Sequence, residues 1–250
     1  MKPLFDNQAD LLVKIRKLRL VGFALELENQ FNNNIIYDSM PIEERLALCV
    51  DAQENYAKNK RCEGLIKKAK FKDNLKMTDL TKTREYGISD QVLATLTSLR
   101  WINTKTNIIV YGACGVGKTA LINAIGYNCC NNGHSVRYFR ALDFFDLLVE
   151  MPIPARQKFK ENLKKTNVLI LDDFALKPME EDHRLELFSV IDDRQRLGST
   201  IISTQLNRNG LEYSMGQDTK GEAICDRLFN PCIEVELKGP SRRQEMSNVI

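Results

Sequence analysis

One stretch limits what this chain can become more than any other: residues 107–121, NIIVYGACGVGKTAL. It opens as a short apolar run at 108–111, suited to a buried strand. Gly112-Ala113-Cys114-Gly115-Val116-Gly117-Lys118-Thr119 then matches G-x-x-x-x-G-K-[ST] in full. Residues 120–130 follow with no breaker except Gly126 and read as a helix. Strand, glycine-rich loop and helix are the context this motif requires. Gly112, Gly115 and Gly117 can adopt backbone angles closed to other residues, so successive N–H groups can turn inward around a phosphate. The start of the helix adds free N–H groups and a positive dipole end. Lys118 brings a point charge to the β and γ phosphates, and Thr119 brings a hydroxyl for Mg²⁺. The loop from Gly112 to Ala120 is thus the expected nucleotide contact.

A second run, Val168-Leu169-Ile170-Leu171-Asp172-Asp173, carries matching chemistry. Four successive apolar residues fit a strand buried on both faces. Its two carboxylates emerge at the C-terminal end, where open α/β sheets bind ligands. Asp172 would hold Mg²⁺ directly or through water, and Asp173 would polarise an attacking water. Such a run alone often means only a strand end; its place after a phosphate loop favours the functional reading. Residues 200–204 form another strand that runs from apolar to polar. Thr204 or Gln205 at its end can bond the water or the γ-phosphate, unless the strand simply runs into a loop.

At 250 residues the chain allows one large domain, or a core with a smaller appendage. No apolar run approaches the ~20 residues of a membrane span, and the first residues, MKPLFDNQAD, lack a signal-peptide core. The expectation is a cytoplasmic protein with no membrane partner. Seven cysteines without a C-x-x-C pair fit a reducing compartment, and two histidines offer zinc no ligand set. The net charge of +3 hides a local block. Between Lys58 and Arg84 stand ten basic residues and three acids, so this segment carries +7 and the remainder −4. Lys67, Lys68, Lys70 and Lys72 are its densest part. They read either as a solvated helix end or, being crowded and of one sign, as a surface for duplex DNA.

Taken in order, residues 8–32 read as one helix, closed by Asn32-Asn33-Asn34. A second begins near Ser39 and Pro41 and runs to about residue 69, with a break expected near Asn59. These make a small helical domain, 1–75. Residues 76–100 are expected to form a linker and a lead-in helix that starts at Asp90 and ends at Trp101. Residues 101–250 form the nucleotide domain. Within it, residues 155–165 read as a basic amphipathic helix, a solvated face or a second DNA surface. Residues 180–197 and 221–228 also read as helices, and 232–237 as a last strand.

The segments ERLALCVDAQENYAKNKR, GVGKTALINAIGYNCCNNGHSVRY, VLILDDF, AICDRL and ELKGPSRR resemble the IstB family of insertion-sequence ATP-binding proteins. These are AAA+ transposition helpers related to DnaC helicase loaders. The resemblance covers nearly the whole chain. It implies an α/β P-loop AAA+ domain with a central parallel sheet, after a small all-helical domain and without an obvious C-terminal lid. It implies ATP and Mg²⁺ as ligands and ATP hydrolysis as the reaction. It implies duplex DNA and a transposase as partners, and a homo-oligomer, either ring or helical filament. Asp172 and Asp173 match the family's acid pair, although many AAA+ proteins carry Asp-Glu there. Thr204 or Gln205 matches the sensor after the fourth strand, where loaders often have Asn. Arg227 matches the arginine finger; its alternative is a surface ion pair. Ser241 and Arg243 match a C-terminal S-x-R feature. A helicase loader acting in replication is the alternative function. A small-molecule kinase finds no support, because no second substrate pocket is legible.

Overall fold

The computed structural model describes residues 4–73, 75–80, 87–175 and 179–241. The chain divides into two compact units, Met1–Gly64 and Leu65–Ile250.

The first unit is helical: α1 (Leu4–Lys17), α2 (Val21–Asn32), α3 (Asn34–Tyr37) and most of α4 (Ile42–Ala69). The single helix expected over 8–32 is two, because Arg19 takes φ 64° and turns the chain between α1 and α2. The break expected near Asn59 is absent, and α4 runs through it. Gly22 lets α2 lie against α4: a Cβ there would stand 2.5 Å from Ala52 O. Gln53 of α4 accepts from the Gly22 N–H at 2.9 Å and the Phe23 N–H at 3.3 Å. It thereby serves two of the four N–H groups that a helix start leaves open.

The second unit begins inside α4. Leu65, Ile66, Ala69 and Phe71, read from the sequence as part of the helical domain, pack on the core of the larger unit. The lead-in helix expected over 90–101 is also two. Ser89 caps α5 (Asp90–Ser98) by accepting from Val92 N, Leu99 turns left-handed at φ 56°, and α6 (Arg100–Asn103) follows. The remaining elements are β1 (Asn107–Gly112), α7 (Lys118–Asn131), β2 (Val136–Arg140), α8 (Ala141–Glu150), α9 (Ile153–Lys164) and β3 (Val168–Phe174). Then come α10 (Glu181–Arg194), β4 (Ser199–Thr204), α11 (Arg208–Ser214), α12 (Thr219–Phe229) and β5 (Cys232–Leu237). Helix α11 has no counterpart in the sequence reading.

The five strands form one sheet in the order β2-β3-β4-β1-β5, and every pair is parallel. This is the α/β P-loop architecture that the family resemblance implies. A parallel sheet needs both faces covered, and two apolar clusters do so. Ile108, Val110, Ile170 and Ile201 point to one face with Leu96, Trp101, Leu121 and Ile125. Ile109, Leu169, Leu171 and Ile202 point to the other with Phe144, Leu148, Leu187 and Leu228. The three central strands, β3, β4 and β1, carry their polar residues only towards their ends. The C-terminal ends of β1, β3 and β4 bring Gly112, Asp172 and Thr204 to one edge of the sheet.

Candidate functional site

The phosphate loop leaves β1 at Gly112 and enters α7 at Lys118. Gly112, Gly115 and Gly117 take φ of 152°, 82° and 103°, the region where only glycine is unstrained. Space agrees with angle: a Cβ on Gly112 would lie 2.7 Å from Leu237 O, and one on Gly115 would collide with Ser241. Val116 is buried and fastens the loop to the core. Lys118 is 6% exposed and donates through Nζ to Gly112 O at 2.7 Å and Ala113 O at 2.8 Å. The ammonium is thus held against carbonyls at the start of its own loop.

Asp172 is the centre of a buried network. Thr119 Oγ1 donates to its Oδ2 at 2.9 Å, and the Tyr138 hydroxyl donates to the same oxygen at 2.7 Å. Its Oδ1 accepts from Ser203 Oγ and, at 3.0 Å, from the Asp173 N–H. A buried carboxylate is tolerated only with such partners, and the residue is 1% exposed. Burial, and then the adjoining Asp172 carboxylate, raise the Tyr138 phenol above its ordinary range. The tyrosine therefore stays a proton donor at neutral pH.

The register of β3 against β4 is regular to Leu171↔Ile202 and resumes at Phe174↔Thr204. Asp172 and Asp173 together face the single Ser203, which is a bulge. Asp173 absorbs it in a left-handed conformation, φ 53°. Its carboxylate is turned away from the Asp172 network, a third exposed, 3.9 Å from Arg140 Nη2. The two neighbouring acids therefore have different surroundings: Asp172 is held from four sides and Asp173 is open.

Thr204 is fully buried, and its hydroxyl accepts from Leu206 N at 3.2 Å, whereas Gln205 is exposed. The polar side chain of β4 that reaches the acid pair is Ser203. Neither Ser203 nor Tyr138 was singled out from the sequence. Ser203 stands in the polar end of β4, and the register of parallel strands aligns it with Asp172. Tyr138 carried no signal beyond its place in a strand.

Arg227 stands apart from this group. Its backbone carbonyl accepts from Nδ2 of Asn107, the first residue of β1, at 3.0 Å. The phosphate loop begins at the other end of that strand, about 16 Å away at ~3.3 Å per residue. The Arg227 guanidinium lies 5.0 Å from the Phe188 ring, and Nε donates to Asp192 Oδ1 at 2.8 Å. It borders a pocket of about 370 Å³ together with Lys105, Arg194 and Arg196. Arg194 there is a structural cation. It is 2% exposed and donates to Leu163 O, Thr166 O and Ser199 O.

Lys67, Lys68, Lys70 and Lys72 are all exposed, at and just beyond the C-terminal end of α4. Basic residues suit that negative dipole end. The basic helix expected over 155–165 is α9, and its cations largely face protein. Arg156 and Lys160 pair with Glu186, and Lys164 with Asp193, both acids on α10. That packing disfavours α9 as a DNA surface. Arg243 lies outside the described residues. Among the described residues no helix is long and apolar enough to cross a membrane.

The family described as "IstB-like ATP binding protein" matches residues 13–249. A protein of insertion sequence IS1162 from Pseudomonas fluorescens, named for ATP binding, is 36% identical over 197 residues, covering 78% of this chain and 85% of that one. The insertion-sequence protein y4pL of Sinorhizobium fredii, also named for ATP binding, is 27% identical over 93% of this chain and 95% of its own. Among solved structures, DnaI superposes with TM-score 0.56 at 18% identity, over 72% of this chain and 93% of that chain. AMPPCP-bound DnaA from Aquifex aeolicus gives 0.54 at 17% identity, over 71% of this chain and 56% of that chain. Identities so low speak for a shared fold and no more.

Proposed function

The chain belongs to the IstB-like ATP binding proteins, and on that premise we propose that it is an Mg²⁺-dependent ATPase that assembles on duplex DNA and presents it to a transposase. The names of its insertion-sequence relatives support the transposition setting. The chemistry rests on one observation: Thr119 and Asp172 meet in a buried, fully hydrogen-bonded network. A hydroxyl and a carboxylate 2.9 Å apart are the hard oxygen donors that Mg²⁺ takes in nucleotide sites. The metal, when bound, would neutralise charge building on the β and γ phosphates.

The protein's own groups take the remaining roles. The N–H groups of residues 112–120 and the Lys118 ammonium bind phosphate. Asp173, open and beside Arg140, orients the attacking water. Thr204 or Gln205 senses the γ-phosphate from the end of β4, next to Ser203. Arg227, at the far end of the strands from its own loop, acts in a neighbouring copy's site. A residue that serves its neighbour needs a head-to-tail interface, which closes as a ring or continues as a helix. The four exposed lysines at the end of α4 face the DNA phosphates.

Sizing the protein with a non-hydrolysable ATP analogue, with and without duplex DNA, tests this reading. Multimers that require both ligands are expected. A persistent monomer would sink the proposal, and multimers indifferent to DNA would point to a loader of another protein.

A further inference from the structure

Phe71 stands inside the basic run of residues 67–72 and, half-buried, packs against the core of the nucleotide unit. Its ring meets Tyr138 edge-on, with centroids 6.5 Å apart and planes at 61°. It also rests on Gly126 of α7, the helix that begins with Lys118. A Cβ on Gly126 would lie 2.6 Å from Phe71 Cε1, so the ring approaches the helix backbone as closely as glycine allows. Strand β2 holds the same segment at a second point. Arg137, next to Tyr138, donates from Nη1 to Lys68 O at 2.8 Å, capping the end of α4. The hydroxyl of Tyr138 in turn holds Asp172 Oδ2 at 2.7 Å.

We infer that the contact chain Phe71–Tyr138–Asp172 couples the basic segment to the nucleotide site, with Tyr138 as a positioning residue for Asp172 and Phe71 as the side chain that sets Tyr138. The inference rests on the reading that Lys67, Lys68, Lys70 and Lys72 meet DNA. Asp172 Oδ2 is shared by Thr119 and Tyr138. A metal–nucleotide held by Thr119 and Asp172 would compete with Tyr138 for that oxygen. Tyr138, bonded to the carboxylate here, would then be displaced from it. Phe71, wedged between the Tyr138 ring and the α7 backbone, passes the difference to the lysines. Coupling requires such a two-state element, and it acts equally in both directions.

The test is the affinity for a fluorescent DNA duplex, with and without Mg²⁺ and a non-hydrolysable ATP analogue. In the wild type the nucleotide should change DNA affinity by a factor within the roughly 5–150 range typical of coupled sites. Phe71→Leu keeps apolar volume but removes the ring edge. It should bring that factor to within about twofold of unity, while DNA affinity without nucleotide stays within about threefold. Phe71→Tyr, which restores the ring, should restore the factor. Tyr138→Phe keeps both rings and removes only the hydroxyl; it should also abolish the factor, and it decides the matter if Phe71→Leu does not fold. A wild-type factor in Phe71→Leu or in Tyr138→Phe overturns the inference. A wild-type protein that binds DNA equally with and without nucleotide overturns it too, leaving DNA binding intact. No DNA binding at all would remove the underlying reading instead.

Discussion

Thr119 and Asp172, 53 positions apart in the chain, share a 2.9 Å hydrogen bond that joins the phosphate loop to the end of β3. The carboxylate uses both oxygens, and one of its four donors is a backbone N–H that cannot reverse direction. Asp172→Asn therefore must turn its oxygen toward Asp173 N and Ser203, and its amide toward Thr119 and Tyr138. Those hydroxyls must then rotate to accept. The substitution should cost about 1–3 kcal/mol of stability. It should lower ATP turnover about 100-fold or more, the usual loss when a preorganised charge is removed. Turnover within a few-fold of wild type, in a variant shown to be folded, would remove Asp172 from the site.

Two glycines of the helical part predict opposite signs. A Cβ on Gly22 would stand 2.5 Å from Ala52 O and 2.8 Å from Gln53 Cα, backbone atoms that cannot rotate aside. Overpacking costs typically 1–3 kcal/mol, which exceeds the ~1 kcal/mol that alanine gains in a helix. Gly64, within α4, has nothing within 4 Å of its added Cβ. Gly22→Ala should lower the thermal unfolding midpoint, and Gly64→Ala should raise it. The same sign for both would contradict the close α2–α4 contact.

Where the sequence was legible, the signal was local. The glycine spacing from Gly112 to Gly117 dictates a loop, and an apolar run ending in Asp172 dictates a strand whose acids emerge at a sheet edge. Signals carried by pairing were not legible. Tyr138 and Ser203 reach Asp172 only because β2 and β4 flank β3 in a given register. The helix breaks at Arg19 and Leu99 were hidden for another reason. Both take positive φ, a conformation that ordinary side chains seldom adopt and that residue type does not announce. Helix α11 did carry a local sign: Asn207 caps it by accepting from Gly210 N at 2.9 Å.

Cysteine chemistry offers a footprint of the nucleotide. Cys114 is exposed within the phosphate loop. Burial pushes the Cys225 thiol up to about 11 and the Cys232 thiol up to about 12. At pH 8 the reactive thiolate of Cys232 is then roughly one part in ten thousand. Iodoacetamide should modify Cys114 ahead of both, as read by peptide mass mapping, and Mg²⁺ with an ATP analogue should protect it. Equal labelling with and without nucleotide would place the phosphates elsewhere.

The four exposed lysines at the end of α4 should act through charge alone. Neutralising Lys67, Lys68, Lys70 and Lys72 together should weaken duplex binding for all sequences alike. The slope of log affinity against log salt should flatten by about 0.9 per lost phosphate contact. Affinity and slope equal to wild type across several salt concentrations would reject this surface.

Arg227 makes the assembly testable without a structure of it. Its guanidinium is tied to Asp192 and lies at the strand ends opposite the phosphate loop. In a lone copy it stands at the opposite end of β1 from the phosphate loop. If it serves a neighbour, Arg227→Ala should lose most DNA-stimulated hydrolysis, because an arginine finger is worth roughly 10³–10⁵ in rate. Lys118→Ala should lose it as well, through its own pocket. Mixing the two inactive proteins creates interfaces that pair the intact loop of one with the intact Arg227 of the other. Activity should therefore reappear in the mixture and peak near equal proportions. A residue acting within its own chain, or merely bracing α12 against α10 through Asp192, gives no such recovery. A mixture as inactive as its two components would assign Arg227 to the ion pair and leave the γ-phosphate without a neighbour's charge.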